Sequence, residues 1–375
     1  MKFSVDSAAL TDSVNWVSRS LSTRPIMTAL LGIVIDVQKD VTLSASDLET
    51  SARSSFDADI KETGRVLVPG RLLTEISKAL PNKTVNFVLD GSRVQVTAGS
   101  AKFTLPTLPL NEYPNLPNLP ETTGVIASEL FATAVNQVAV AAGRDDSLPT
   151  LTGIHIDINK ESITLAATDR YRLAVREINW TPNDPELTTT ALLRARTLAD
   201  AARTIANTKS VSIAIAPTTS NERLVGFASE SKTMTSRQLD GSFPPYRHLL
   251  PSDSSANAVI EVAKFLDSVR RVALVTDKTV PLRLKFNNNK LQLEAGAGDE
   301  AQATEELEII YSGEAIDIAF NPTFLTDGLT ALGTAYVNIA FTGSNKPAML
   351  TGKSKADGAA DSSFRYLLMP MRYAS

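Results

Sequence analysis

The chain has 375 residues, 37 basic and 41 acidic, for a formal net charge of −4; it has no cysteine and only two histidines. This excludes disulfides, cysteine zinc sites, iron–sulfur clusters and thiolate nucleophiles. A mildly acidic body also cannot hold nucleic acid by bulk charge, so any such partner must meet a local basic surface. Apolar residues at 43% and charged residues at 21% suit a soluble globular chain of two or three domains.

The N-terminal run MKFSVDSAAL lacks the basic and apolar regions of a signal peptide. No stretch approaches the roughly 18 consecutive apolar residues of a membrane span, so no membrane partner is expected and the cytoplasm is the expected compartment. The first predicted element is a helix with apolar positions Leu10, Val14, Val17 and Leu21, preceded by Asp6-Ser7 as an N-cap. A half-buried hairpin follows from Leu31, reading LGIVIDVQKDVTLSASDLETSA. A second helix carries Leu73, Ile76 and Leu80, with Pro69 near its start. The unit leaves through the proline-rich run LPTLPLNEYPNLPNLP.

The same order then returns. Phe131, Val135, Val138 and Ala142 repeat the helical steps of 4, 3 and 4 residues, with Ser128 as the expected N-cap. The hairpin TGIHIDINKESITLAATDRYRLA places Gly153, Asp157 and Lys160 at an offset of 121 from Gly32, Asp36 and Lys39. Leu198, Ala201 and Ile205 form the second helix of this copy, and FPPYRHLLPSDSS the exit. A third copy has Phe265, Val269 and Val272, then PLRLKFNNNKLQLEAGAGDEA, then Leu325, Gly328 and Leu332 after Pro322. Three copies of about 125 residues, bounded at 1–120, 121–252 and 253–375, make an α+β domain used three times.

Neither histidine, His155 or His248, sits in a catalytic motif, and the chain has no phosphate-binding glycine loop, metal-ligand cluster or nucleophile elbow. No enzyme, metal or cofactor is expected. A repeat scaffold that binds proteins without DNA shares the triplication and remains an alternative, ahead of a hydrolase built from scattered Asp, Glu and Ser.

Three segments then narrow the reading: LAATDRYRLAVRE from Leu165, FPPYRHLLP from Phe243 and YLLMPMR from Tyr366. In this order, within a triplicated chain, they resemble the bacterial sliding clamp, the β subunit of DNA polymerase III, over essentially the whole length. The Arg170-Tyr171-Arg172 form is closest to actinobacterial members. The resemblance implies three clamp domains per chain and a head-to-tail dimer closing as a ring around duplex DNA, at the nucleoid. It also implies the polymerase III α subunit, a clamp loader, other polymerases and repair proteins as partners, through short Gln, Leu and Phe motifs.

It implies a partner groove from Leu151, Thr168, Arg170, Arg172, Leu173, Pro244, His248, Leu249, Leu367, Leu368, Met369, Pro370, Met371 and Arg372. Leucines and prolines suit an apolar groove, the methionines can repack around different guests, and the arginines can meet polar peptide ends. Thr168-Asp169-Arg170 equally reads as a plain hairpin turn, since Ser46-Asp47-Leu48 recurs in the first copy. Many members have Gly-His at Arg170-Tyr171, arginine at His248, and end before Tyr373. For DNA the expected contacts are Arg24, in the Arg24-Pro25 loop, with Arg71, Lys78, Arg194, Arg196, Arg203 and Arg270 on helix faces. Arg19 joins these on a helix face, with Arg144 and Lys209 near helix ends. Acidic pairs such as Asp299-Glu300 and Glu305-Glu306 fall in strands and loops. Phe103, Leu105 and Leu274 match the family's dimer join and read equally as core residues.

Overall fold

The computed structural model describes residues 1–216, 223–251, 253–275, 280–296 and 301–373; Asp299-Glu300 and the final Ala374-Ser375 lie outside them. The chain separates into two compact units. One holds Met1–Phe131, Trp180–Pro185 and Asp200–Gln238; the other holds Ala132–Asn179, Glu186–Ala199 and Leu239–Ser375. The second repeat is therefore divided, its two sheets going to different units.

In the first unit, a five-stranded sheet runs in the order Asp59–Glu62, Lys2–Asp6, Thr84–Asp90, Arg93–Ala98 and Ala101–Pro106. A nine-stranded sheet joins the four hairpin strands of the first repeat to five strands of the second. The join is antiparallel, Lys232–Arg237 against Thr50–Phe56, from Lys232 opposite Ser54 to Ser236 opposite Thr50. Helices α1 (Ser7–Val17) and α2 (Gly70–Ala79) pack against each other, and α1 also lies against Thr50–Phe56. Leu10, Val14 and Val17 are buried, as are Leu73 and Ile76. The α1 stripe ends at Val17, because a 3₁₀ turn over Ser18–Ser20 follows and leaves Leu21 outside the helix. Asp6 is the N-cap, its Oδ1 accepting from the amides of Ala8 at 2.8 Å and Ala9 at 3.4 Å.

The second unit repeats the plan. Its nine-stranded sheet joins four strands of the second repeat to five of the third, at Arg172–Asn179 against Ala360–Leu368. Its four-stranded sheet has the order Ala303–Glu308, Lys290–Ala295, Leu282–Asn287 and Ile316–Phe320. Helix α5 (Val262–Val272) lies on this sheet and α6 (Pro322–Leu332) on Ala348–Lys353 and Ala360–Leu368 of the nine-stranded one, the two helices packing together, while α3 (Ser128–Ala139) and α4 (Ala195–Ile205) contribute residues to both units. Ser128 is not an N-cap: it is the first residue of α3, and its hydroxyl shares a 2.9 Å hydrogen bond with Thr208. Asn321 caps α6, with Pro322 in the first turn where its missing N–H costs nothing.

Gly328 lets α6 approach the fully buried Tyr366, since a Cβ there would fall within 2.9 Å of three ring atoms. Gly328→Ala is expected to destabilise by about 1–3 kcal/mol through overpacking, despite alanine's better helix propensity. Urea unfolding checks this, and a wild-type midpoint would mean the ring moves aside freely.

Candidate functional site

The second unit carries a cavity of about 350 Å³ at the tip of the hairpin made by Ser162–Thr168 and Arg172–Asn179. Leu148, Leu151, Tyr171 and Phe324 supply apolar walls, and Arg144, Asp145 and Arg170 the polar rim. The hairpin turn is built locally. Thr168 Oγ1 donates to the Arg172 carbonyl at 2.6 Å, and Asp169 Oδ1 accepts from the amides of Tyr171 and Arg172, each at 3.0 Å. Ser46 and Asp47 make the same bonds to Thr50 and Glu49 in the first repeat. Leu48 and Arg170 even share a left-handed backbone, with φ of 79° and 78°. The turn reading is thus correct for the backbone of both copies. The side chains that follow it differ.

Arg172 is buried, at 5% exposure, and is held from several sides. Its Nε donates to Asp169 Oδ2 at 3.0 Å, and its Nη1 to Asp327 Oδ2 at 2.6 Å and Tyr366 Oη at 3.4 Å. The guanidinium lies 4.2 Å from the Phe324 ring centroid. Burial by itself would favour losing the proton, but Tyr366, Asp327 and Asp169 outweigh it and hold the charge more firmly than usual. Arg172 lines the cavity with little of its surface exposed, its guanidinium already committed to Asp169, Asp327 and Tyr366. The exposed cations at the rim are Arg170 and Arg144. Arg144, expected beside DNA, stands at this cavity.

A second apolar patch, buried at its centre, lies on the sheet that this hairpin joins. Leu173 and Leu367 face each other across the strand join and pack with Ala166, Val175 and Tyr246, with Phe243, Leu250 and Met349 at the margin. Pro244 is half-buried in the covering segment, while His248 and Leu249 are exposed. Leu368 is wholly buried, so it has no surface for a guest. Met369 is exposed and joined to the turn by its amide, which donates to the Tyr171 carbonyl at 2.9 Å. Pro370 and Met371 are half-buried and Arg372 is exposed. Exposed Tyr171, Met369 and Leu249 are large apolar side chains of the kind that mark binding surfaces.

Sequence reasoning missed Phe324 and Asp327. Both stand off the Leu325-Gly328-Leu332 stripe of α6, one helical step apart, and an aromatic off the apolar stripe was a usable signal. Tyr171 stacks on Phe324 with ring centroids 6.4 Å apart.

His155 stacks on Phe243 at 5.2 Å beside this patch. Burial lowers its pKa below the ordinary 6.5, Arg247 adding to the effect and Asp157 opposing it. The unfolded chain thus takes up this proton more readily than the folded one. The contribution of His155 to stability is full above about pH 7 and is lost as the pH falls below the unfolded histidine's ordinary value of about 6.5. His155→Phe should flatten that part of a midpoint-against-pH profile; equal slopes would assign the effect to other groups.

The expected DNA contacts are exposed but differently seated. Arg71 and Lys78 lie on α2, Arg196 and Arg203 on α4 and Arg270 on α5. Arg194 ends the strand Thr188–Arg194 and pairs with Asp146 at 2.8 Å, and Arg19 sits in the 3₁₀ turn after α1, so neither is on a helix face. Helices α1, α3 and α6 carry no basic residue, so the positive faces belong to α2, α4 and α5 and not to all six. Arg203 and Arg270 have exposed carboxylate neighbours at 3.2 and 3.7 Å, which screen them little. Among the described residues, no carboxylate pairs with Arg24, Arg71, Lys78 or Arg196.

Ala101–Pro106 is an edge strand of the five-stranded sheet in the first unit, and Ala303–Glu308 an edge strand of the four-stranded sheet in the second. Phe103 is half-buried on the former, but Leu105 is 0% exposed and is a core residue. Leu274, just after α5, is 82% exposed.

Models of the DNA polymerase III beta subunit match in three parts: its N-terminal domain over residues 1–117, central domain over 125–245 and C-terminal domain over 247–372. A beta sliding clamp of Streptomyces coelicolor is 47% identical over 373 residues, 99% of each chain. The chain belongs to the beta sliding clamp family. This clamp also resembles the beta sliding clamp homolog GriR of Streptomyces muensis, at 41% identity over the full length of both. The Bacillus subtilis clamp sequence is 26% identical, so the actinobacterial likeness holds. Among solved structures, the Bacillus subtilis sliding clamp covers 100% of both chains with a TM-score of 0.90 at 24% identity. A Pseudomonas aeruginosa clamp bound to griselimycin matches with the same TM-score, identity and coverage. The fold is three clamp domains, and the clamp is a processivity factor rather than a catalyst.

Proposed function

We propose that the clamp encircles duplex DNA as a head-to-tail dimer and tethers the replicative polymerase and other partners by short peptide motifs. The observation that carries this reading is the repeated strand join. The last strand of the second repeat pairs with the third hairpin strand of the first, and the last strand of the third repeat with its counterpart in the second. By the same rule, Ala101–Pro106 of one copy seeks Ala303–Glu308 of another. Two copies satisfy both edges, which gives a closed dimer rather than a fibre. The units so repeated are the domains 1–120, 121–252 and 253–375.

The duplex is held without reading bases. Arg24, Arg71, Lys78, Arg194, Arg196, Arg203 and Arg270 supply phosphate contacts of the sequence-independent kind, typically with dissociation constants of about 10⁻⁴–10⁻⁶ M. Closure retains the DNA and weak contact lets the clamp slide. The cavity and the apolar patch beside it receive an extended Gln, Leu and Phe segment from the polymerase α subunit, the clamp loader, other polymerases or repair proteins. Work on replicating DNA places the clamp at the nucleoid; no helix among the described residues is long and apolar enough to cross a membrane.

Negative-stain electron microscopy of the purified protein tests the reading. Two-chain rings with a centre wide enough for a duplex are expected. Compact single chains at micromolar concentration would remove the encircling role.

A further inference from the structure

The chain continues past Met371, and Tyr373, the last described residue, is fastened down. After Leu368 it leaves the nine-stranded sheet and reaches the outer strand, Ile316–Phe320, of the four-stranded sheet. The amide of Met369 donates to the Tyr171 carbonyl at 2.9 Å, and that of Met371 to the Ala319 carbonyl at 2.8 Å. Tyr373 Oη then donates to Asp317 Oδ1 at 2.8 Å. Arg283 lies 4.8 Å from the Tyr373 ring centroid, and its Nε donates to the same Asp317 oxygen at 2.9 Å. Attachments thus fall at alternate residues, 369, 371 and 373, as along the edge of a strand. The last is the only one made through a side chain, and it combines a charge-assisted hydrogen bond with a cation over the ring.

Chain ends fray unless tied. Without Tyr373, one backbone hydrogen bond would hold Met371 at the end of the segment. We propose that Tyr373 is a positioning residue of the partner groove: it latches the segment Met369–Tyr373 to strand Ile316–Phe320 and so holds Met369 and Met371 in place as groove walls. The inference rests on the groove assignment above. A groove whose wall is docked only part of the time binds with an affinity reduced by that fraction. If unlatching lowers the docked fraction to between a third and a tenth, binding weakens by about 3- to 10-fold.

Full-length wild type, Tyr373→Ala and Tyr373→Phe are compared in two measurements. Hydrogen exchange without peptide reads the amides of Met369 and Met371. Fluorescence anisotropy reads binding of a labelled peptide containing Gln-Leu-Ser-Leu-Phe. Tyr373→Ala should speed exchange at both amides and weaken binding 3- to 10-fold at an unchanged unfolding midpoint. Tyr373→Phe, which keeps the ring under Arg283, should fall between. Unchanged exchange overturns the latch, and faster exchange at wild-type affinity overturns the positioning role. A wild-type protein that fails to bind the peptide sinks the groove assignment itself, and the inference with it, whereas the exchange result judges the latch separately.

Discussion

Replacing Arg172 with alanine should destabilise its unit by about 3 kcal/mol and weaken peptide binding at least about tenfold. The loss comes from what is left behind. Asp169 and Asp327 would face each other's charge with no cation between them, and Phe324 would lose the guanidinium beneath its ring. Removing one partner of a buried pair commonly costs about 3–5 kcal/mol; the partial exposure of Asp327, at 31%, argues for the lower end. Arg172→Lys should recover little, because one ammonium cannot bridge two carboxylates and lie flat on an aromatic face. Arg172→Met combined with Asp327→Asn should be milder than Arg172→Ala alone, since it leaves less uncompensated charge. Urea unfolding by circular dichroism and peptide anisotropy supply the readouts. A wild-type midpoint for Arg172→Ala would show that water already solvates both carboxylates.

Leu274→Asp should turn dimers into single chains, raising the dissociation constant more than about 100-fold, or roughly 3 kcal/mol. Leu274 is 82% exposed just after α5, and in the head-to-tail dimer proposed above a carboxylate buried at that position would be unpaired. The edge itself is stiffly held. Glu305 accepts from Ser268 Oγ at 2.6 Å and from Arg271 Nη2 at 2.6 Å, tying Ala303–Glu308 to α5. Leu105→Ala, by contrast, should act on the stability of the first unit, because that side chain is core. Sedimentation velocity at micromolar concentration separates the two. A Leu274→Asp protein that sediments as wild type would move the join elsewhere.

The repeat and its elements were legible because they are local. Apolar steps of 4 and 3 residues bury Leu10, Val14 and Val17 in one helix and Phe265, Val269 and Val272 in another, and strand alternation marks each hairpin. The turn after Ser46 and that after Thr168 are written in the same few residues, and both fold identically. What these turns carry was also visible as a difference, Thr50 in one copy and Arg172 in the other. The use made of that difference was not. Thr50 Oγ1 reaches only its own Asp47, at 3.0 Å, whereas Arg172 reaches Asp327 and Phe324 on a helix 155 and 152 residues further along the chain.

Sequence by itself determined three α+β copies, their helices and hairpins, and a surface with local rather than overall positive charge. Side-chain periodicity and turn chemistry act within a few residues, and no distant neighbour is needed to read them. Tertiary structure alone decided which strand of one repeat continues the sheet of another, which leucines are exposed and which are core, and that Arg172 is buried against Asp169, Asp327 and Phe324. Those outcomes depend on edges and side chains far apart in sequence meeting in space. Burial changes their meaning, turning an arginine that reads as a surface cation into the buried centre of a charge network.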